Sequence, residues 1–196
     1  MMSPTDRLDA QMAFLVEADK LKSVVRGTKL ADGSRYENSG EHSWHIALYA
    51  LTLGEHAPEG VDITRVIQML LLHDLVEIDA GDAPIFGDHD PIEMAQKEQA
   101  AATRLFGLLP GDQSAGFRAL WDEFEANQTP DARFAKSLDR FQPPNQNLAS
   151  GGGSWVDYNT SYDQFRTRVG VKINNGAPRL WNWINPRVKS WFNARQ

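Results

Sequence analysis

Apolar residues recur every three or four positions through most of the chain, and runs that alternate between apolar and polar residues are scarce. The first pattern is typical of amphipathic helices, and alternation is typical of half-buried strands. The sequence therefore predicts an all-α protein folded as a helical bundle. The predicted helices cover residues 6–25, 41–56, a stretch that starts after Asp62 and is broken at 81–84, then 91–106, 117–125, 130–139, 161–169 and 178–193.

Three of these helices carry a continuous stripe that we expect to face inward. In the first helix the stripe is apolar and comprises Leu8, Met12, Leu15, Val16 and Leu21. In the second it comprises His42, Ile46, Tyr49 and Leu53, and in the third Val66, Leu70, His73 and Asp74. Two of the three stripes therefore place titratable side chains where apolar ones are the rule.

Proline and glycine mark the expected breaks. Residues 26–40 are polar and predict a loop. Pro143-Pro144 predicts the end of the preceding helix, because proline has no amide hydrogen to donate. Residues 145–154 contain three consecutive glycines and predict a flexible loop. Too little chain follows that loop for a second core, so we expect one domain over residues 1–196, with its core at about 21–158 and a Trp-rich helical tail packed on it.

The amino-acid composition limits the kinds of binding site and partner that we expect. The 196 residues include no cysteine, which excludes disulfides and thiolate metal sites, so a metal would bind through nitrogen and oxygen. The net charge of -6 argues against a nucleic-acid polymer as the main partner. The N-terminus has no signal-peptide pattern, and no apolar run reaches the ~20 residues that span a bilayer. We therefore expect a cytoplasmic protein with no membrane partner.

The dipeptide His73-Asp74 closes the apolar run 66–72. A carboxylate at the edge of a core is costly unless a cation or several donors meet it. Glu77 shares a helical face with both residues, while His42 lies near the start of the preceding helix and Asp139 near the end of a later one. Side chains from separate helices can meet inside a bundle, and two imidazoles with two carboxylates can hold one divalent metal.

The same residues have an ordinary structural interpretation. His73 could be a core histidine held by Asp74 or by a helix-end carbonyl, and Asp139 could be a helix cap. His45 is a weaker candidate ligand, and the other two histidines are expected at the surface. If a metal binds, open positions of its shell can hold water and a substrate oxygen, and Glu77 is placed to move a proton.

Taken together, these residues resemble the HD-domain metal-dependent phosphohydrolases. The matching segments are Glu41-His42-Ser43, His73-Asp74-Leu75-Val76-Glu77, Gly81-Asp82 and Leu138-Asp139. The string from Glu37 to Ser43 is similar to the 5′-deoxynucleotidase branch, which includes the HD domain-containing protein 2 type. The resemblance covers about residues 21–158 and implies a helical fold, frequent homodimers and one divalent metal (Mn, Co, Fe, Ni, Zn or Mg). The ligands that it implies are His42, His73, Asp74 and Asp139.

By the same resemblance, Glu77 is the catalytic glutamate, Arg26 binds the substrate phosphate and Asp82 contacts the sugar. From the residues alone, Arg26 could instead complement the C-terminal dipole of the first helix, and Asp82 could be a turn residue. Gly27 departs from the family, because the bacterial 5′-deoxynucleotidase has an aromatic residue there. The glycines at 151–153 are either a mobile cover for the site or a connector.

The resemblance implies a phosphomonoesterase that removes the 5′-phosphate of (deoxy)nucleoside monophosphates by attack of a metal-activated water. Its partner would be a small-molecule phosphate substrate, a nucleotide. Two alternatives stay open: hydrolysis of another phosphate compound, such as a phosphodiester or a guanosine polyphosphate, and a non-catalytic module that senses nucleotides. A two-iron oxygenase would need further ligands near His42 and His73, and the sequence offers no convincing set.

Overall fold

Helices and one short hairpin form the computed structural model, which describes residues 3–195. In chain order its elements are α1 (Pro4–Ala18), β1 (Val25–Lys29), β2 (Tyr36–Asn38), α2 (Ser39–Leu53), α3 (Ile63–Leu72), α4 (Glu77–Ala80), α5 (Pro91–Phe106), α6 (Gly111–Ala126), α7 (Pro130–Ala149), α8 (Ser154–Asp157), α9 (Tyr162–Phe165), α10 (Val171–Gly176) and α11 (Pro178–Asn193). Short 3₁₀ turns lie at Asp19–Ser23, Gly54–His56 and His73–Val76, and a π turn at Arg166–Gly170. With 74% of the residues helical, the predicted all-α class is confirmed. Within residues 3–195, none of the helices combines the length with the apolar content that a bilayer crossing requires.

Side-chain caps explain where the helices that carry the site begin. Asn38 accepts a hydrogen bond from the amide of Glu41 at 2.9 Å, and the Glu41 carboxylate accepts one from the amide of Asn38 at 3.0 Å. Asp62 caps α3, as predicted, and Thr129 caps α7. Each cap satisfies amide groups that the first helical turn leaves without partners. The start of α2 therefore places His42 about one turn into the helix.

Two hydrophobic clusters meet near the end of α3. The larger cluster lies between α2, α3, α7, α10 and α11 and includes Ile46, Val66, Met69, Leu70, Phe134, Leu138, Ile173 and Ile184. The second lies between α1, α5 and α6 and includes Phe14, Leu72, Leu75, Ala102, Leu105, Phe106 and Trp121. Because α3 contributes Leu70 to one cluster and Leu72 to the other, the turn that follows α3 lies at their junction.

The C-terminal helix packs along the larger cluster. The buried side chains of α11 are those of Leu180, Ile184, Val188 and Phe192. The ring of Trp155 lies 5.1 Å from the ring centroids of both Trp191 and Phe192. Trp183, in contrast, is 46% exposed.

The inward stripe predicted for the first helix is wrong. Leu8, Met12, Leu15 and Val16 are each half exposed or more. The helix instead docks through buried Phe14, whose ring packs edge-on against Phe117 at 5.9 Å. At about 100° per residue, Phe14 lies roughly 145° from the centre of the apolar stripe, close to the opposite side of the helix. Leu21, which lies in the 3₁₀ turn after α1, is buried as expected.

The loop predicted for residues 26–40 is mostly a β-hairpin. Strands β1 and β2 pair antiparallel, with Val25 opposite Asn38 and Lys29 opposite Tyr36. The strands have five and three residues, and neither shows a clear alternation of apolar and polar residues, so the local pattern did not predict them. The hairpin places Arg26 and Glu37 on neighbouring strands.

The helix end predicted at Pro143-Pro144 is also wrong, because α7 continues to Ala149. The two prolines only remove the amide hydrogens that would bond to the carbonyls four residues earlier, those of Asp139 and Arg140. The glycines that follow form a packed turn rather than a flexible loop. A Cβ atom at Gly152 would lie 2.2 Å from the Trp191 ring, and φ is positive at each of Gly151, Gly152 and Gly153.

Candidate metal centre

Three elements bring the four predicted metal ligands together. His42 lies in α2, His73 and Asp74 lie in the 3₁₀ turn after α3, and Asp139 lies in the middle of α7. All four side chains are buried. Since α3 ends at Leu72, a tighter turn replaces the continuous helical face that the sequence predicted for residues 73 and 74.

The distances between the four side chains are those of a ligand cluster. His42 Nε2 lies 3.2 Å from Asp139 Oδ1, and His73 Nε2 lies 3.9 Å from the same oxygen. One ligand atom from each of His42, His73 and Asp139 lies within 4.8 Å of the others. Asp74 adjoins both imidazoles through different oxygens: Oδ1 is 2.9 Å from His73 Nε2, and Oδ2 is 3.9 Å from His42 Nε2.

The second nitrogen of each ring is already committed to an acceptor. His73 Nδ1 lies 2.8 Å from the carbonyl oxygen of Leu70, which can only accept, so Nδ1 carries the proton. His42 Nδ1 lies 3.1 Å from Gln142 Oε1, again an acceptor. Both Nε2 atoms of the neutral rings are therefore lone-pair donors. Histidine ligands in metal sites are oriented in this way.

His73 Nε2 is the atom that best fits a bound cation. It is buried and has no hydrogen-bond partner among residues 3–195, although Asp74 Oδ1 is only 2.9 Å away. A lone pair and a carboxylate oxygen at that distance repel each other unless a cation lies between them. Imidazole nitrogen and carboxylate oxygen are the donors that divalent transition metals use. The residues present therefore fit a divalent metal.

The charge balance of this interior favours the same occupant. Two guanidiniums, those of Arg26 and Arg140, face five carboxylates, namely Glu37, Asp74, Glu77, Asp82 and Asp139. Burial and the charge of Arg26 lower the pKa of His42, but its contacts with Asp139 and Glu37 outweigh them and raise that pKa to about 9, so a metal ion at Nε2 would replace a proton there. Buried anions in excess of their partners are costly, and a divalent cation offsets that cost.

Arg26 and Asp82 adjoin the cluster on the side of the hairpin. Arg26 Nη1 donates to Asp74 Oδ2 at 2.8 Å and to Glu77 Oε1 at 3.3 Å, and it lies 3.5 Å from Asp82 Oδ1. Asp82 Oδ2 accepts from the amide of Gly27 at 3.3 Å. Arg26 belongs to β1 rather than to the end of a helix, and its guanidinium pairs with these three carboxylates.

Glu77 starts α4 and is buried beside the predicted ligands. Its Oε2 accepts a hydrogen bond from Ser39 Oγ at 2.5 Å, and Arg26 donates to both of its oxygens. Burial raises the pKa of Glu77 well above its ordinary value, and the charge of Asp74 adds to this, although Arg26 and Ser39 oppose it. A carboxyl group with a raised pKa is suited to proton transfer near neutral pH.

Sequence reasoning missed the polar groups that support His42. Glu37 Oε2 accepts from Gln142 Nε2 at 2.9 Å and from Gln146 Nε2 at 3.1 Å, and its Oε1 lies 3.3 Å from His42 Nδ1. The signal was present, because Asp139, Gln142 and Gln146 recur at helical spacing. The prolines between them hid it.

His45 does not join the cluster. Its Nδ1 lies 3.2 Å from Gln142 Nε2, so it contacts the amide that supports His42 rather than the predicted ligands.

Two adjoining cavities open on the site and share Arg26, Asp82, Ala83 and Arg140. The first, which we call the inner cavity, reaches His73, Asp74, Glu77 and Asp139 and is otherwise lined mainly by charged side chains, including Glu98, Glu125 and Lys136. The second, which we call the outer cleft, has mostly apolar walls. The site therefore offers a charged compartment next to an apolar one.

Comparisons with known proteins give this chain a family. The sequence is 47% identical to that of a protein from Magnetospirillum magnetotacticum MS-1 whose crystal structure is described as a predicted metal-dependent phosphohydrolase. The two structures superpose with a TM-score of 0.90, and the match covers 95% of this chain and 96% of that one. A Pyrococcus furiosus protein at 18% identity and a TM-score of 0.59 shares the fold, covering 91% of this chain and 99% of that one.

Two curated relatives are named 5′-deoxynucleotidase HDDC2. The Bos taurus protein is 30% identical over 66% of this chain, and the chain spans only 62% of its length. The Dictyostelium discoideum protein is 30% identical over 67% of this chain and 72% of its own length. The family described as HD domain matches residues 18–181. The chain therefore belongs to the HD domain family.

Proposed function

We propose that this chain is a metal-dependent phosphohydrolase that removes the 5′-phosphate of nucleoside monophosphates, deoxynucleotides included. The observation that carries the proposal is the convergence of His42, His73 and Asp139 within 4.8 Å. The Nδ1 atoms of both imidazoles are bound to Gln142 and Leu70, so each ring has its Nε2 left to coordinate a metal once the ring is neutral. The names of the bovine and Dictyostelium relatives support the choice of a nucleotide substrate.

The residues that would hold the metal are His42, His73, Asp74 and Asp139. Held by these residues, a divalent metal would supply Lewis-acid stabilisation of a phosphoryl oxygen and would make water more acidic. The donor set suits Mn, Co, Fe, Ni, Zn or Mg and does not choose among them.

Arg26 is placed to bind the substrate phosphate. Its guanidinium has five donors, and in the structure it is shared among Asp74, Glu77 and Asp82. A phosphate that enters the inner cavity meets this guanidinium, which favours planar, paired contacts with phosphate oxygens. Asp82, at the boundary of the two cavities, is placed to accept a hydrogen bond from a sugar hydroxyl.

Glu77 is placed to move the proton. Hydrolysis joins the oxygen of water to phosphorus, breaks the phosphorus–oxygen ester bond and transfers a proton to the leaving 5′-oxygen. Glu77 can take the proton from water and return it to that oxygen, while Ser39 Oγ, at 2.5 Å, fixes the direction of its carboxylate. The products are a nucleoside and inorganic phosphate.

The decisive experiment measures phosphate release by metal-stripped protein to which Mn, Co, Ni, Mg or Zn is returned singly. The substrates are the ribo- and deoxynucleoside 5′-monophosphates, a phosphodiester and a guanosine polyphosphate. We expect release of inorganic phosphate from monophosphates with at least one metal and none without metal. Release of pyrophosphate from the guanosine compound alone would contradict the proposal. Thermal stabilisation by nucleotides with no product would identify a sensor instead.

We also propose that the chain is a single domain that acts in the cytoplasm as a homodimer. The outer face of α2 exposes Trp44, Leu48 and Leu51 by 63%, 41% and 69%. A contiguous apolar face of this kind on a surface helix is typical of an interaction site. Light scattering should give twice the chain mass for the wild type and the monomer mass for Leu51→Glu. A monomeric wild type would contradict the proposal.

A further inference from the structure

The outer cleft has mostly apolar walls, whereas the inner cavity is lined mainly by charged side chains. This difference indicates which part of a substrate each cavity can bind. Its apolar walls include Ile85, Phe86, Pro143, Pro144, Trp155 and Tyr158. The inner cavity continues past the predicted ligands to Glu98, Glu125 and Lys136. A neutral planar ring is favoured against apolar and aromatic walls and disfavoured among buried charges.

The position of the phosphate fixes the direction of the rest of the substrate. This step rests on the proposed function, which places the phosphate beside Arg26 and the metal ligands. Because Arg26 and Asp82 line both cavities, a nucleotide whose phosphate lies in the inner cavity can extend past Asp82 into the outer cleft. The base is then the part that reaches the apolar walls.

Tyr158 is the aromatic residue of that wall with most surface free to meet a ligand. It is 38% exposed, whereas Trp155 is 2% exposed. A Cβ atom at Gly27 would lie 3.1 Å from the Tyr158 hydroxyl, so the phenol ends against the backbone next to Arg26. Within residues 3–195 this hydroxyl is not part of any hydrogen bond.

The segment that carries Tyr158 is fixed to the hairpin. Its neighbour Asp157 accepts hydrogen bonds from Lys29 Nζ and from the Tyr36 hydroxyl, each at 3.1 Å. Behind it, the turn at Gly152 is packed against the Trp191 ring. A segment that is already fixed loses less conformational freedom when a ligand packs on one of its side chains, which favours binding.

We propose that Tyr158 is a specificity-determining residue, whose ring forms the surface against which the base of the nucleotide packs. The absence of a side chain at Gly27 makes this possible, because any Cβ atom there would press on the Tyr158 hydroxyl and on Pro84, at 3.1 and 3.3 Å. The recognised class is a heteroaromatic base attached to a sugar phosphate.

The test compares a nucleotide with the same ester lacking its base. Deoxyadenosine 5′-monophosphate and deoxyribose 5-phosphate share phosphate and sugar, and only the first can contact Tyr158. Aromatic–base packing is worth about 1–3 kcal/mol, so Tyr158→Ala should lower kcat/KM for the nucleotide by about 5- to 150-fold, mainly through KM. The same variant should act on deoxyribose 5-phosphate like the wild type.

Two matched variants separate the ring from other effects. Tyr158→Phe keeps the ring and should restore nearly all activity on the nucleotide. Tyr162→Phe removes a hydroxyl that donates a hydrogen bond to Asn185 at 2.7 Å, outside both cavities. This variant should act on both substrates like the wild type. Circular dichroism and thermal unfolding confirm that each variant is folded.

The outcomes distinguish this inference from the proposed function. If the wild type releases phosphate from nucleotides but Tyr158→Ala affects both esters equally or neither, the role of Tyr158 is overturned and the phosphohydrolase remains. If the wild type releases no phosphate from any nucleotide, the proposed function fails and the role of Tyr158 fails with it.

Discussion

The first and seventh helices use their stripes in opposite ways. α1 exposes an apolar stripe, with Leu15 and Val16 at 56% and 72% exposure. α7 buries a polar one that includes Asp139, Gln142 and Gln146. Both stripes have helical periodicity, so the period by itself identifies a face but does not say whether that face points inward.

The groups that face each helix decide whether its stripe is buried. The polar stripe of α7 faces Glu37 and His42, which satisfy its amides and carboxylate, and buried polar groups are tolerated when each has a partner. α1 meets α6 through the packing of Phe14 on Phe117 and through paired polar groups, such as Arg7 with Asp112 and Gln11 with Gln113.

Removing the carboxylate at the centre of the buried stripe should have the largest effect. We expect Asp139→Ala to lose the metal and to lower phosphate release by roughly 10⁴-fold or more, because the Lewis acid is lost with its ligand. Elemental analysis and turnover provide the measurement. Asp163→Ala, an exposed carboxylate on α9, is the control and should match the wild type. Full metal occupancy in Asp139→Ala would reject this residue as a ligand.

Glu77→Gln should keep the metal but lose turnover. The amide preserves shape and cannot exchange the proton, so kcat should fall by about 10²- to 10⁴-fold, the usual contribution of acid–base catalysis. Steady-state kinetics with metal analysis on the same samples measures this. Glu93→Gln, on the exposed start of α5, serves as the matched substitution. An unchanged kcat would show that another group moves the proton.

Gln142→Met tests whether the amide across from His42 supports the metal site. The substitution keeps approximate shape but removes the acceptor of the His42 ring proton and the donor to Glu37. Metal affinity should fall by about 10- to 100-fold, as is typical when a group that orients a ligand is removed. Competition with a fluorescent chelator gives the affinity. An affinity equal to that of Gln96→Met, an exposed amide on α5, would contradict the role.

Val16→Ser should have the smallest effect, because the exposed stripe of α1 contributes little to folding. We expect the free energy of unfolding to change by less than about 0.5 kcal/mol. Phe14→Ala removes the buried ring through which the same helix packs, and should lower the free energy of unfolding by about 3–5 kcal/mol. Urea denaturation measures both. If the two variants lose comparable free energy of unfolding, the apolar stripe of α1 is buried in solution.

The sequence predicted the parts of the site that lie on recognisable patterns. His73 and Asp74 stood out because charged groups closed an apolar run, and His42 because it began a stripe. The structure brings His42 and His73 together with Asp139, as expected from helices that pack side by side. The roles of these residues, and those of Arg26, Glu77 and Asp82, stay predictions until variants are measured.

Other parts depend on contacts between distant segments, which local patterns do not encode. Glu37 reaches the site only because a hairpin of a few residues turns it toward α7. Gln142 and Gln146 were hidden because prolines normally end helices, and here α7 continues. The rotation of α1 depended on its polar contacts with α6, which periodicity does not reveal.

The double proline of α7 leaves two main-chain acceptors without helical donors at the boundary between the inner cavity and the outer cleft. Bending is cheapest where such cross-links are absent. Side chains replace those cross-links here, because Gln142 and Gln146, which lie on either side of the prolines, both donate to Glu37. The interrupted part of α7 is therefore held in place where it supports His42.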